Sequence, residues 1–168
     1  MPKIIENLEN RLMEEAKKQI QEAGYGAMTI RSVAAGCGVG VGTVYNYFSA
    51  KEELIAACLL EDWNQCVPDI NAVSADSETP RPVALYIYDQ LTCFAARHAV
   101  IFRDEAAAAG FAGAFSRYHG VLRTQLAAPL EKFCRDTFSA EFIAEALLTW
   151  TMAGKDFETI YGIIGKLF

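Results

Sequence analysis

The tightest constraint on this chain lies between Thr29 and Lys51, where glycine falls at positions 36, 38, 40 and 42 between two short apolar segments. Glycine in a helix interior costs about 1 kcal/mol relative to alanine. It also takes readily the left-handed conformation that ends helices. No long helix can run through TIRSVAAGCGVGVGTVYNYFSAK. The stretch reads instead as a short helix, a turn, a second short helix and the start of a third. Thr29 is placed to cap a helix from Ile30 to Cys37, with Val33 and Ala34 inward and Gly38 as the residue that ends it. Val39 then plugs the space between the two helices. A second helix over 41–48 buries Val44 and Phe48, which are four apart. Tyr45 falls at the edge of that face, and Val41, three before Val44, suits either core or surface.

The flanking segments suit a helical bundle. Over residues 4–23, Ile5, Leu8, Leu12, Ala16 and Ile20 recur at helical spacing, and Gly24 and Gly26 stop the run. Ser49 followed by Glu52 predicts a capping box for a fourth helix, which should end before Pro68. Residues 68–82, with three prolines and many small polar residues, read as a linker-like loop. Helical spacing resumes over 83–97 and 100–109. It returns from Phe115 to Cys134, where Pro129 predicts a break near Gln125. Ser139 is a candidate cap for a last pair of helices separated by Gly154. The expected fold is all-α, with a head over residues 1–49 and a helical body over 50–168.

Bulk properties narrow the function classes. A 52% hydrophobic share with 21% charged residues hints that a partner buries some apolar surface. No apolar run reaches the ~18 residues of a membrane span, and the N-terminus lacks a signal-peptide core. The expected location is therefore cytoplasmic, with no membrane partner. Five cysteines, an odd count without CxxC spacing, suggest neither disulfides nor zinc. No metal and no cofactor are expected, and the thiols read as small buried hydrophobes, with a redox-sensing thiol as the alternative. A net charge of −6 argues against non-specific coating of nucleic acid but leaves sequence-specific binding open.

The chemistry of the Thr29–Lys51 stretch suits a helix-turn-helix, which lays its second helix across a major groove. Gly42 removes bulk where backbone would approach DNA. Thr43, Tyr45, Asn46 and Tyr47 offer donors, Asn46 can bond adenine bidentately, and Val41 can touch a thymine methyl. Thr29, Arg31 and an exposed Lys51 are placed to hold the phosphate backbone. Short helix-turn-helix units also occur in ordinary bundles, and the tyrosines alone could be core aromatics.

The order Thr29, Val33-Ala34, Gly38-Val39, Gly42-Thr43-Val44-Tyr45, Tyr47-Phe48 and Lys51-Glu52-Glu53-Leu54 resembles the N-terminal pattern of the TetR family of bacterial regulators. The resemblance covers about the first third of the chain. It implies a three-helix helix-turn-helix DNA-binding domain followed by a helical-bundle ligand-sensing and dimerisation domain. It further implies a homodimeric, ligand-responsive repressor on double-stranded DNA with a palindromic operator. The family's usual DNA-contacting positions match Thr29, Arg31, Val41, Gly42, Thr43, Tyr45, Asn46, Tyr47 and Lys51. Two departures stand out: Gly40 replaces the usual serine before the reading helix, and Gly36 sits where a better helix former is common. They predict a reading helix loosely ordered without DNA. Residues 1–58 balance Lys3, Arg11, Lys17, Lys18, Arg31 and Lys51 against Glu6, Glu9, Glu14, Glu15, Glu22, Glu52 and Glu53. Such a near-neutral head predicts weak non-specific binding and a shallow salt dependence.

The body is less explicit. Tyr86, Phe94, His98, Phe102, Phe115, Tyr118 and His119 are candidates to line a pocket for a small hydrophobic or aromatic effector, with plain core packing as the alternative. Phe142, Leu147, Trp150, Phe157, Tyr161 and Ile164 are candidates for a dimer interface, with an intramolecular core as the alternative. Two other readings remain. An all-α enzyme would use His98 or His119 with Glu105, but no nucleophile-base spacing or phosphate-cradling loop supports it, and the chain is not expected to be an enzyme. A helical interaction or ligand-binding protein without DNA binding is the remaining alternative.

Overall fold

The computed structural model describes residues 7–104 and 118–168, and among these every regular element is helical. In chain order they are α1 (Leu8–Ala23), α2 (Ile30–Cys37), α3 (Val41–Tyr45), α4 (Lys51–Asn64), α5 (Val67–Asp76), α6 (Pro80–Arg97) and α7 (Ala99–Phe102). Then follow α8 (118–127), a 3-10 turn (Ala128–Phe133), α9 (Thr137–Met152) and α10 (Phe157–Ile164). Ile5, Glu105 and Phe115 lie outside the described residues.

The described residues form two compact units, one of 7–62 with 99–104 and one of 63–98 with 118–168. In the first, Leu12, Ala16 and Val33 are fully excluded from water, Ala34 and Ile20 nearly so, and Val44 and Phe48 close the core from α3 and the turn after it. Each such large side chain contributes on the order of 1.5–3 kcal/mol. From α4, Leu54, Ile55 and Cys58 join them. Lys17 on α1 pairs with Glu61 and Asp62 near the far end of α4, at 2.7 and 2.6 Å.

In the second unit α6 and α9 are central, with Val83, Ala84, Ile87 and Leu91 facing inward from one and Ile143, Ala144 and Leu147 from the other. The Ser74 hydroxyl donates to the Pro129 carbonyl at 2.6 Å, and Lys132 donates to the carbonyls of Ser74 and Ser77, satisfying the end of α5.

Several expectations are corrected. The stretch 68–82 is not a loop: α5 and α6 take all of it except Ser77–Thr79. Its prolines sit in the first turns of these helices, where the missing N–H has no helical partner to lose and φ is already set. Ser49 bonds the Glu53 carboxylate rather than Glu52, through both its N–H and its hydroxyl. Asp136, not Ser139, caps α9, accepting the Ser139 N–H at 2.7 Å; the hydrogen bonds from Ser139 hold its carboxyl below the usual range. The break before Pro129 comes at Ala128, where the helix tightens to 3-10, rather than near Gln125. The third helix is shorter than 41–48, ending at Tyr45.

Candidate nucleic-acid interface

The capping at the start of α2 is reciprocal. The Thr29 hydroxyl oxygen accepts the Ser32 N–H at 3.0 Å, and the Ser32 hydroxyl oxygen accepts the Thr29 N–H at 3.0 Å. Two donors that the helix cannot satisfy are thereby paired. At the other end Gly38 adopts φ 69°, a left-handed value that a side chain would strain, and the Val39 N–H returns to the Ala34 carbonyl at 2.9 Å. Arg11 adds a bond from its guanidinium to the Cys37 carbonyl at 3.1 Å. Val39 is half-buried, so it lines the seam between α2 and α3 rather than filling it.

Gly40 opens α3 in an extended conformation with no side-chain cap. Val44 and Phe48 anchor α3 from beneath, at 0% and 3% exposure, and this fixes what the opposite side presents. Gly42, Tyr45, Asn46 and Tyr47 are exposed, while Val41 and Thr43 are half-buried. Tyr45 does not sit at the edge of the buried face: it is 52% exposed, and Tyr47 is 45% exposed. Two large exposed aromatics flanking an amide form a surface that can contact base edges and phosphates. Nothing lies within 4 Å of where a Gly42 side chain would begin, so the backbone there is bare. Thr29 and Arg31 are exposed at the start of α2.

Lys51 differs from the expectation of an exposed phosphate ligand. It is half-buried, and its ammonium donates to the Tyr25 carbonyl at 2.6 Å while lying 3.9 Å from the centroid of the Tyr25 ring. Burial lowers its pKa, against the pull of Glu52 and Asp104. Tyr25, itself buried, has its hydroxyl pushed up to about 12 by desolvation and then by Glu52, whose carboxylate it approaches at 3.4 Å. The lysine thus ties the turn after α1 to the start of α4.

The pocket candidates fall in both units. Phe94 is core, meeting Trp63 edge-on at 5.6 Å and His98 at 4.6 Å. Tyr86, Tyr118 and His119 are half-buried in the second unit, and Phe102 belongs to the first. His119 Nε2 lies 3.3 Å from Glu145 Oε1. Of the dimer candidates, Leu147, Phe157 and Ile164 are buried within the chain's own core, so they offer no free surface. Phe142 and Trp150 are exposed at 53% and 51%, joined by Phe138 and Ile163, which the sequence reading missed. Tyr161 is half-buried and, with Phe157, lies under the Arg81 guanidinium.

The five cysteines are not joined in disulfides; burial pushes Cys58 up to about 12 and also raises Cys37 and Cys134. Among the described residues no group of three or more His, Cys, Asp or Glu is arranged to hold a metal, and no helix is long and apolar enough to cross a membrane.

Comparison with known proteins bears on this geometry. Relatives described as uncharacterized HTH-type transcriptional regulators in Mycobacterium tuberculosis H37Rv and Mycobacterium bovis are 34% identical over 84 residues. That match takes in 48% of this chain and 39% of each relative, so the chain spans well under half the length of the curated relatives it matches. The fold is shared with FadR of Thermus thermophilus, a TetR-family repressor solved with lauroyl-CoA (TM-score 0.68, 18% identity, 95% of this chain and 92% of that one). It is shared also with a candidate transcriptional regulator of Streptomyces coelicolor A3(2) (TM-score 0.65, 16% identity, 94% and 96%). Residues 12–58, which run from α1 through α2 and α3 into α4, match the profile of the bacterial regulatory proteins of the tetR family.

Proposed function

We propose that the chain is a sequence-specific DNA-binding transcriptional regulator, acting as a homodimeric repressor whose grip on DNA is released by a small hydrophobic effector. The observation that carries this reading is the exposed Tyr45-Asn46-Tyr47 surface backed by buried Val44 and Phe48, inside the segment matching the tetR profile. In this reading α3 lies in the major groove. Asn46 and Thr43 address base edges, Val41 meets a thymine methyl, and Gly42 lets the backbone approach. Thr29 and Arg31 hold phosphates from the start of α2, and the tyrosine hydroxyls reach the flanking backbone. Lys51 contributes by fixing the Tyr25 turn. Residues 1–49 supply the head, and the remainder senses ligand and pairs the copies. Tyr86, His98, Tyr118 and His119, all in the second unit, remain the effector candidates. Pairing runs through Phe142 and Trp150.

The test is selection of duplexes from a random pool by the full chain, followed by footprinting of the enriched sequence. A repressor dimer yields a two-fold symmetric site with half-sites about one helical turn apart. Recovery of no preferred sequence favours the helical interaction protein instead. Lauroyl-CoA, the ligand bound by the similar T. thermophilus protein, is the first compound to add to the protein–duplex complex. Release of the duplex supports the effector arm, and continued binding with that and other hydrophobic compounds counts against it.

A further inference from the structure

Lys51 is half-buried, yet its ammonium gives its hydrogen bond to a neutral group, the Tyr25 carbonyl, and lies against the Tyr25 ring. A charge withdrawn from water costs free energy unless an opposite charge balances it. Two carboxylates supply that balance. Glu52 follows Lys51 in α4 and approaches the Tyr25 hydroxyl at 3.4 Å. Asp104, also half-buried, comes from just after α7. Its N–H donates to the Ile101 carbonyl at 3.2 Å, and Ile101 is buried in the same compact unit as Tyr25 and Lys51.

Both members of the Lys51–Tyr25 contact feel Asp104. Burial lowers the Lys51 pKa, and Glu52 and then Asp104 draw it back up. Desolvation raises the Tyr25 hydroxyl, and Glu52 and then Asp104 raise it further. Lys51, Tyr25, Glu52 and Asp104 therefore form one cluster, with a single cation and acids from two parts of the chain. A phosphate near the start of α4 would offer the ammonium charged oxygens, and a charged acceptor outbids a neutral carbonyl. What keeps Lys51 on Tyr25 is the negative charge gathered around it.

We propose that Asp104 is a positioning residue for DNA binding: together with Glu52 it holds the Lys51 ammonium on Tyr25 and so keeps it from the phosphates of a bound duplex. The proposal rests on the DNA-binding reading above. It brings into that reading a residue outside the segment that matches the tetR profile. It also makes Lys51 a cation held in reserve, so that Asp104 sets the charge with which each head meets DNA.

The experiment measures affinity for the selected duplex over a range of salt with the full chain. It compares wild type, Asp104→Asn, Lys51→Met and the double variant, each checked for helicity and melting. Asp104→Asn leaves the ammonium poorly balanced and should release it to a phosphate. The slope of log affinity against log salt should steepen by about 0.9 for each head. Affinity at low salt should rise about threefold, the scale of one exposed ion pair. Both changes should vanish in the Lys51→Met background. Glu52→Gln removes the other balancing charge and provides a second variant should Asp104→Asn fold poorly; it should steepen the slope in the same direction. An unchanged slope in a folded Asp104→Asn or Glu52→Gln variant overturns the proposal. So does an equal steepening with and without Lys51, which would mean that Asp104 repels the phosphates itself. A wild-type chain that retains no duplex removes the DNA-binding reading, and this inference with it.

Discussion

The ammonium of Lys51 lies 2.6 Å from the backbone carbonyl of Tyr25 and 3.9 Å from the centre of its ring, so one cation holds the turn after α1 by two attractions. A phosphate contact would have to compete with both. Each phosphate neutralised by a cation contributes about −0.9 to the slope of log affinity against log salt. Lys51→Met should therefore lower affinity for the duplex about threefold, the scale of one lost hydrogen bond, while leaving that slope unchanged. Arg31→Met, at an exposed position at the start of α2, should flatten it by about 0.9. A matching change of slope in Lys51→Met would show the lysine leaving Tyr25 for the DNA.

Alkaline pH should destabilise the first unit in two steps. Cys58 rises from 9.0 to about 12 and Tyr25 from 10.0 to about 12, desolvation being the leading cause for each. Both pKa values are raised on folding, so the folded state keeps protons that the unfolded state has lost. The stability they contribute is complete below pH 9, declines from about 9 as unfolded Cys58 ionises, and declines faster from about 10 with Tyr25. Lys51 opposes this weakly, since its lowered pKa makes stability rise with pH just below 10.5. Urea midpoints measured from pH 7 to 11 should fall, with Cys58→Ala flattening the earlier part and Tyr25→Phe the later. Parallel curves for wild type and both variants would contradict the assignment.

The outline of the head was legible because its signals are local. Thr29, Gly38 and the Val44–Phe48 spacing each determine geometry within four residues, and the structure places them as the pattern requires. What escaped depends on pairs distant in sequence. Lys51 looked free because Tyr25 is 26 residues away. Gly36 looked like a defect because Glu15, which fills its space, lies on another helix. The prolines at 68, 80 and 82 look alike in a loop and in the first turn of a helix, and burial of Ile70 and Ser74 decides between the two. In α9, helical spacing showed which residues were apolar but not which side met α6, so Leu147 and Trp150 could not be told apart.

Gly42 and Gly40 separate stability from binding. Gly42 lies within α3 with open space around its α-carbon, so alanine there should stabilise the fold by about 1 kcal/mol. The same methyl would stand on the surface proposed to meet DNA, and duplex affinity should fall about tenfold, the scale of one lost hydrogen bond. Gly40 precedes α3 in an extended conformation open to any residue, and its nearest neighbour to a Cβ is Thr43 Oγ1 at 3.8 Å. Gly40→Ser should add a cap and about 0.5–1 kcal/mol, with faster amide exchange in wild-type α3 than in the variant. Equal exchange in the two would show that α3 is already well ordered without the cap.

Phe142 and Trp150 lie on α9, and their exposure contrasts with the burial of Leu147 on the same helix. Phe138 and Ile163 extend the exposed apolar surface, at 74% and 67%. A single copy gains nothing by leaving these rings in water, whereas a two-fold pairing of α9 and α10 would bury them against themselves. Phe142→Glu with Trp150→Glu should convert a dimer to a folded monomer in sedimentation at micromolar concentration, and should cost far more duplex affinity than either head loses alone, because linked heads bind as one. Leu147→Ala should behave differently. It opens a cavity inside each copy, lowering stability by about 2–5 kcal/mol while the surviving folded protein still pairs. If the double glutamate variant remains dimeric, the copies meet through some other surface, and α9 keeps its exposed aromatics for a different partner.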